Sequence, residues 1–167
     1  MRAMEKGMRT RRTKSAALVV SFFAVLSLAG SGDAPAATLT TSMTVPISGT
    51  VDGGPESVSL SGSLSIVTTF VTDPLLTVPK ELLTIKVVNV SGVGLTSGAT
   101  YVATGEDRLT RTLALTDHLD IMFPFYRASI GPRSARSAMA SITLRFDLVT
   151  GTLTAATAAF SSPKLPA

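Results

Sequence analysis

The chain has 167 residues, 45% of them hydrophobic and 16% charged, with a formal net charge of +4. That length allows one ordinary domain rather than two. It contains no Cys, which excludes a disulfide framework, a thiolate nucleophile and Cys-based metal sites. The single histidine, His118, cannot build a multi-histidine metal centre.

The first 36 residues hold six Lys/Arg against two Asp/Glu, and residues 37–167 hold nine of each. The positive excess therefore lies wholly in the N-terminal segment. The remainder has no electrostatic footprint for a phosphate backbone, so no nucleic-acid partner is expected.

Met1 to Ser15 is basic and polar, and Ala16 to Ala29 is an uncharged run of 14 residues. Small polar residues and Ala34-Pro35-Ala36 follow. That order defines a secretory signal peptide over residues 1–36, cut near Ala36 or Ala37. A transmembrane helix wants roughly 20 apolar residues, and this run is shorter and interrupted by Ser21 and Ser27. Arg11-Arg12 hints at twin-arginine export, but Thr13 and Lys14 follow where that signal turns apolar. Without Cys near the cut there is no lipoprotein anchor, so the expectation is a secreted or periplasmic protein with no stable membrane anchor after cleavage.

Residues 37–167 form the single expected domain, and 36 of them are Ser or Thr. From Glu56 to Thr72 one face reads Val58, Leu60, Gly62, Leu64, Ile66, Thr68, Phe70, and the other is mostly serine. Period two over that length predicts a long strand with one apolar face, and Gly62 suggests a bulge or bend. Shorter strands are expected at Ser42–Val51, Leu82–Val90, Ala99–Gly105, Leu109–Thr116 and Leu119–Tyr126, the last an edge or ended at Pro124. Ala138, Ala140, Ile142, Leu144, Phe146 and Leu148 share a face, and Thr150-Gly151 turns into a return strand from Thr152 to Phe160. Two- and three-residue loops both fit that hairpin. Loops are expected at Asp52 to Pro55, Asp73 to Lys80, Ser91 to Gly98 and Arg127 to Arg136. The layout is all-β: an antiparallel sandwich or small up-and-down barrel of about seven or eight strands.

Ser48 to Val51, Glu56 to Leu64 and Ser91 to Gly105 carry an L-S-G-x-L strand and a G-x-G-x-T-x-G-x-x-Y-x-A-T-G segment. This order resembles a group of small exported bacterial all-β proteins of uncharacterised function. The similarity covers roughly residues 47–105. Many members have cysteines that this chain lacks, so no disulfide is implied. The resemblance implies a secreted β-domain and no particular chemistry.

Candidate sites are few. His118 and Asp120 share a strand face, the spacing by which an Asp orients a catalytic His. No Ser lies in a G-x-S-x-G elbow, and a solvated pair beside Met122 fits better. Gly92 to Gly98 is a near miss to a dinucleotide loop, but Tyr101 to Thr104 reads as strand where that loop needs a helix. Asp52 to Glu56 and Gly105 to Asp107 are acidic tips without calcium-loop spacing. Arg127, Arg133 and Arg136, with Arg108 and Arg111, compose a candidate anion site, although Gly131-Pro132 and small residues make a solvated loop the plainer reading. Asn89-Val90-Ser91 fits a glycosylation sequon. The Ser57 to Ser65 row reads as a sugar- or mineral-binding face or as the wet side of a sheet.

No catalytic residue, metal ligand or cofactor is assigned. The expected function is a non-enzymatic binding module for a small apolar molecule, with Ala138, Ala140, Ala155 and Ala159 hinting at a roomy interior. The alternatives are a structural or adhesive envelope protein, its partner an envelope component, and a barrel isomerase or cyclase using Tyr101, Tyr126 or His118. N-terminal sequencing of exported material should find a chain beginning close to Thr38; a chain beginning at Met1 would refute the signal peptide.

Overall fold

The alternation of apolar and hydroxyl side chains carries through to eight strands. The computed structural model describes residues 37–72 and 78–163, so the expected signal peptide at 1–36 lies outside the described residues. The strands are β1 (Ala37–Asp52), β2 (Ser57–Thr72), β3 (Lys80–Gly94), β4 (Thr100–Ala103), β5 (Glu106–Thr112), β6 (Thr116–Arg127), β7 (Arg136–Phe146) and β8 (Leu153–Ser161), with a 3-10 turn at Pro132–Ser134. They pair in the order β1-β2-β3-β4-β6-β7-β8, with β5 on β3. Every ladder is antiparallel, and the sheet curls into a nearly closed barrel.

One long strand, β3, serves two partners. Its first half pairs with β5, from Lys80↔Thr112 to Lys86↔Glu106. Its second half pairs with β4, from Val90↔Ala103 to Val93↔Thr100. The strands β4 and β5 are thus halves of one stave, bent at Thr104-Gly105. There Thr104 N–H donates to the Pro124 carbonyl at 3.1 Å and Val87 N–H donates to the Gly105 carbonyl at 2.9 Å.

Counting that stave once leaves an odd number, so alternating directions bring β8 back parallel to β1. No ladder joins these two strands among the described residues; side chains and close approach do. Asp52 N–H donates to Ser162 Oγ at 2.8 Å, and Leu153 N–H donates to Thr41 Oγ1 at 3.4 Å. Gly49 lies so near the Phe160 carbonyl that any side chain there would strike it.

Burial follows parity. On β2, Val58, Leu60, Leu64, Ile66 and Thr68 are buried, while Ser57, Ser59 and Ser61 are exposed. The register shifts between Ser61 and Ser63, and the extra residue lies on the partner strand, where Asn89 takes φ 51°. An Asn tolerates that left-handed conformation at small cost. The bulge flips the phase of β3: Leu83, Ile85 and Val87 point inward before it, and Val90, Gly92 and Gly94 after it. On β6 and β7 the expected rows Leu119, Ile121, Phe123, Phe125 and Ala138, Ala140, Ile142, Leu144, Phe146 are all buried. Ala138 and Ala140 stand opposite Phe123 and Ile121, so large and small side chains fill the interior together.

Several expectations are corrected. Ser91 to Gly94 is strand rather than loop, because the bulge keeps its alternate residues on the core. The β7–β8 connection is longer than three residues, since Phe146 pairs with Leu153. The Asp147 carboxylate accepts from Val149 N–H at 2.8 Å and builds a turn of its own. Leu148 sits in that turn, half exposed rather than inward. Ala155 and Ala159 face solvent. Strand β6 runs through Pro124 to Arg127. The Pro124 carbonyl points to the β4 side, and so does its nitrogen, so the β6–β7 ladder loses no hydrogen bond.

The end of the barrel opposite the β1–β2 turn buries a carboxyl. Glu81 points inward two residues before Leu83 and is 1% exposed. One oxygen meets the Thr68 hydroxyl, which bonds Thr41 at 2.7 Å. The other, Oε1, is buried without a partner. Burial first, and then repulsion from Asp117, push its pKa up from 4.5 to about 7, against the lowering pull of the Thr68 bond.

Two outcomes test this architecture. Leu144→Ala should cost about 2–5 kcal/mol in urea melts. Thr143→Ala, one residue away on the outer face, should cost under about 1 kcal/mol; a larger loss at Thr143 would mean the strand is inside out. For Glu81 the native state holds its proton more tightly than the unfolded chain. Its contribution is therefore full below pH 4.5 and is lost as pH rises through about 7. Melting temperature should fall across that window in the native sequence and flatten in Glu81→Gln; an unchanged profile in the variant would rule out Glu81 as the source.

Candidate functional site

The β1–β2, β3–β4 and β6–β7 connections gather at one end of the barrel. There the chain builds a rigid staple before it builds a cavity. Glu56, in the β1–β2 turn, reaches across to residues 95–97 in the β3–β4 turn. Its Oε2 accepts from Thr96 N–H at 3.0 Å and Ser97 N–H at 2.8 Å. Its Oε1 accepts from the Ser97 hydroxyl at 2.6 Å and the Tyr101 hydroxyl at 3.1 Å. These donors, led by the Ser97 hydroxyl and amide, hold the Glu56 carboxyl down at about 2. The glycine-rich turn that resembled a dinucleotide loop is thus an anion nest, and the chain's own carboxylate fills it. Strand β4 follows it, with no helix.

Tyr101 stands beyond the staple, buried, its ring 6.2 Å from that of Phe125. Burial, and then the bond to Glu56, raise its phenol pKa and keep it protonated. Tyr101 forms one wall of a cavity of about 400 Å³. The β1–β2 turn supplies Gly53 and Pro55, and the end of β6 supplies Arg127. The β6–β7 connection supplies Ile130, Arg133, Ser134 and Ala135, and Arg136 begins β7.

The loop over Arg127 to Arg136 is solvated as expected, with Ala128 to Ile130, Pro132, Arg133, Ala135 and Arg136 exposed, and it is also tied by hydrogen bonds. Ile130 and Gly131 N–H donate to the Arg127 carbonyl, and Ala128 N–H donates to the Thr100 carbonyl. The Ser134 hydroxyl accepts from Arg127 N–H at 3.2 Å and donates to the Gly131 carbonyl at 2.9 Å. The Arg127 side chain is half-buried, and its Nε is buried with no partner. Gly54, at φ 90°, lies under the Arg136 guanidinium, where any side chain would collide with it. A second hollow of about 300 Å³ opens on the other side of Arg136, against Asp52 and Ser162.

Three of the five arginines considered as an anion site therefore come together. The other two do not: Arg108 pairs with Glu106 at 2.8 Å and Arg111 with Asp117 at 2.9 Å, both near β5. His118 and Asp120 lie on the outer face of β6 and bond across to β7, His118 Nδ1 with Thr143 Oγ1 at 3.0 Å and Asp120 with the Ser141 hydroxyl at 2.7 Å. They engage separate partners and make no relay. Tyr126 is half-buried on β6 opposite Val102. Of the acidic tips, Asp52 accepts from Gly54 N–H and Asp107 from Arg108 N–H. Among the described residues no group of three His, Cys, Asp or Glu is placed to hold a metal ion. Asn89 is exposed at the β3 bulge.

Sequence reading missed Glu56 and Tyr101 as partners because they are 45 residues apart. It also missed Glu81, for which a signal existed: a carboxyl in phase with Leu83, Ile85 and Val87. Chemically, the cavity offers cations, an aromatic wall and apolar patches, and none of its lining side chains is a His, Asp or Glu. The chain matches no protein-family model, no curated protein and no solved structure.

Proposed function

We propose that the chain is a small exported, non-enzymatic binding module that seats the apolar body of a small molecule in the Tyr101–Ile130 cavity. The observation that carries this reading is the cavity itself. At about 400 Å³ it falls within the range of small-molecule sites, which combine apolar walls with a few fixed polar groups. Tyr101, Pro55, Ile130 and Ala135 supply the apolar surface, and Ile130 is 57% exposed. Tyr101, named above for a barrel isomerase, lies in the wall, but its hydroxyl is already donated to Glu56, which favours binding over turnover. Export rests on the order of charged, apolar and small residues over 1–36, and the resemblance of residues 47–105 to exported bacterial β-proteins agrees with it.

A second reading, an adhesive or structural surface, has its own support. The outer faces of β1 and β2 set hydroxyls opposite one another at Thr50↔Ser59, Ser48↔Ser61, Thr44↔Ser65 and Thr40↔Thr69. The last pair is bonded at 3.1 Å.

Titration with the neutral dye Nile red separates the two readings. The expected result is saturable fluorescence enhancement that Ile130→Asp weakens by about tenfold, the loss of roughly one buried aliphatic contact. Binding indifferent to Ile130→Asp would place the site elsewhere. No binding at all would favour the hydroxyl surface.

A further inference from the structure

We infer that the ligand of this cavity carries an oxyanion, a carboxylate or phosphate group, held by the guanidiniums of Arg127, Arg133 and Arg136. The inference rests on the binding-module reading of the same cavity and adds the charge of what it binds.

Three guanidiniums line one cavity, although the chain from residue 37 onward has as many acidic as basic residues. The cluster is a local concentration, not a background excess. Among the described residues neither ion pair involves any of the three: the pairs are Arg108–Glu106 and Arg111–Asp117. The carboxylates of the adjoining turn are committed elsewhere. Glu56 accepts four hydrogen bonds from Thr96, Ser97 and Tyr101, and Asp52 accepts one from Gly54 N–H.

Arg127 is the anchor. Its side chain is half-buried along the cavity wall, with the Nε enclosed and without an acceptor. Its backbone is fixed by Ser134, so the side chain leaves the sheet in a set direction. Arg136 is exposed and lies against Gly54, where the bare backbone leaves it room. A planar fork matches a carboxylate or phosphate with two parallel hydrogen bonds. Arg133 is exposed on the 3-10 turn and lines the same cavity. Tyr101, protonated, is bonded to Glu56 and adds no negative charge to the wall.

Isothermal titration calorimetry with hexanoate, hexyl phosphate, hexanol and hexylamine, at low and high salt, tests this. Both anions should bind at least tenfold more tightly than hexanol, with hexylamine weakest and the anion advantage shrinking in salt. The better of the two anions identifies the headgroup. Arg127→Gln and Arg136→Gln should each remove most of that advantage. Exposed Arg133→Gln serves if the half-buried Arg127 variant fails to fold. Arg145→Gln, on the outer face of β7 away from the cavity, should bind as the native chain does. Hexanol bound as tightly as the anions would overturn the oxyanion and leave the cavity reading standing. So would an anion advantage that survives all three substitutions, or one that Arg145→Gln abolishes equally. If none of the four binds, both the oxyanion and the binding-module reading fall.

Discussion

One extra residue in β3 sets the geometry of half the molecule. A strand alternates its side chains with a period of two, so a single insertion moves every later residue to the opposite face. Asn89 is that insertion. Without it, Val90 would follow Val88 outward and the glycines at 92 and 94 would leave the interior. With it, Gly92 pairs with Tyr101 on the inner face, and a large ring finds room opposite a residue with no side chain. The wall of the cavity therefore depends on a backbone irregularity at the middle of a different strand. Glu56 then locks the turn between the two strands, and the upper rim inherits its rigidity from both.

The two ends of the barrel use charge in opposite ways. At one end a carboxylate is surrounded by donors and driven toward ionisation, which frees the neighbouring arginines from having to neutralise it. At the other end a carboxyl is withdrawn from water among Thr41, Thr68 and apolar side chains and driven toward its neutral form. The difference comes from hydrogen-bond supply. Glu56 meets two amides and two hydroxyls, while Glu81 meets one hydroxyl and leaves an oxygen bare. Arg111, opposite Glu81 in the β3–β5 ladder, is paired with Asp117 across the β5–β6 connection.

Much of this was legible in the sequence, for a physical reason. The rows from Val58 to Phe70 and from Ala138 to Phe146 are long, one-sided and rich in β-formers, so their alternation survives without knowledge of partners. Strand ends were less legible. The start of β1 and the tail of β3 carry Thr, Ser and Gly on faces whose burial is decided by distant residues. The arginines split along the same line. Arg127, Arg133 and Arg136 are close in sequence, and one short connection keeps them close in space. Arg108 and Arg111 are captured by Glu106 and Asp117, a competition that composition cannot reveal. Pairings over 40 residues, such as Glu56 with Ser97, leave no local trace.

The parallel seam between β1 and β8 has a consequence for how the chain acquires its fold. Every other neighbour in the order β1-β2-β3, β6-β7-β8 follows within eight residues of chain, so each pair can zip from its own hairpin. The seam joins residues 110 and 112 apart, Asp52 to Ser162 and Thr41 to Leu153. Ordering so long an intervening chain carries the largest loop-closure entropy in the molecule, and the seam returns few hydrogen bonds for it. Topology therefore orders the events: local hairpins first, the two hairpin groups meeting through β4 next, and the first strand meeting the last at the end. Rupture of the seam leaves every ladder intact, so the seam is where the native barrel opens at least expense in backbone hydrogen bonds.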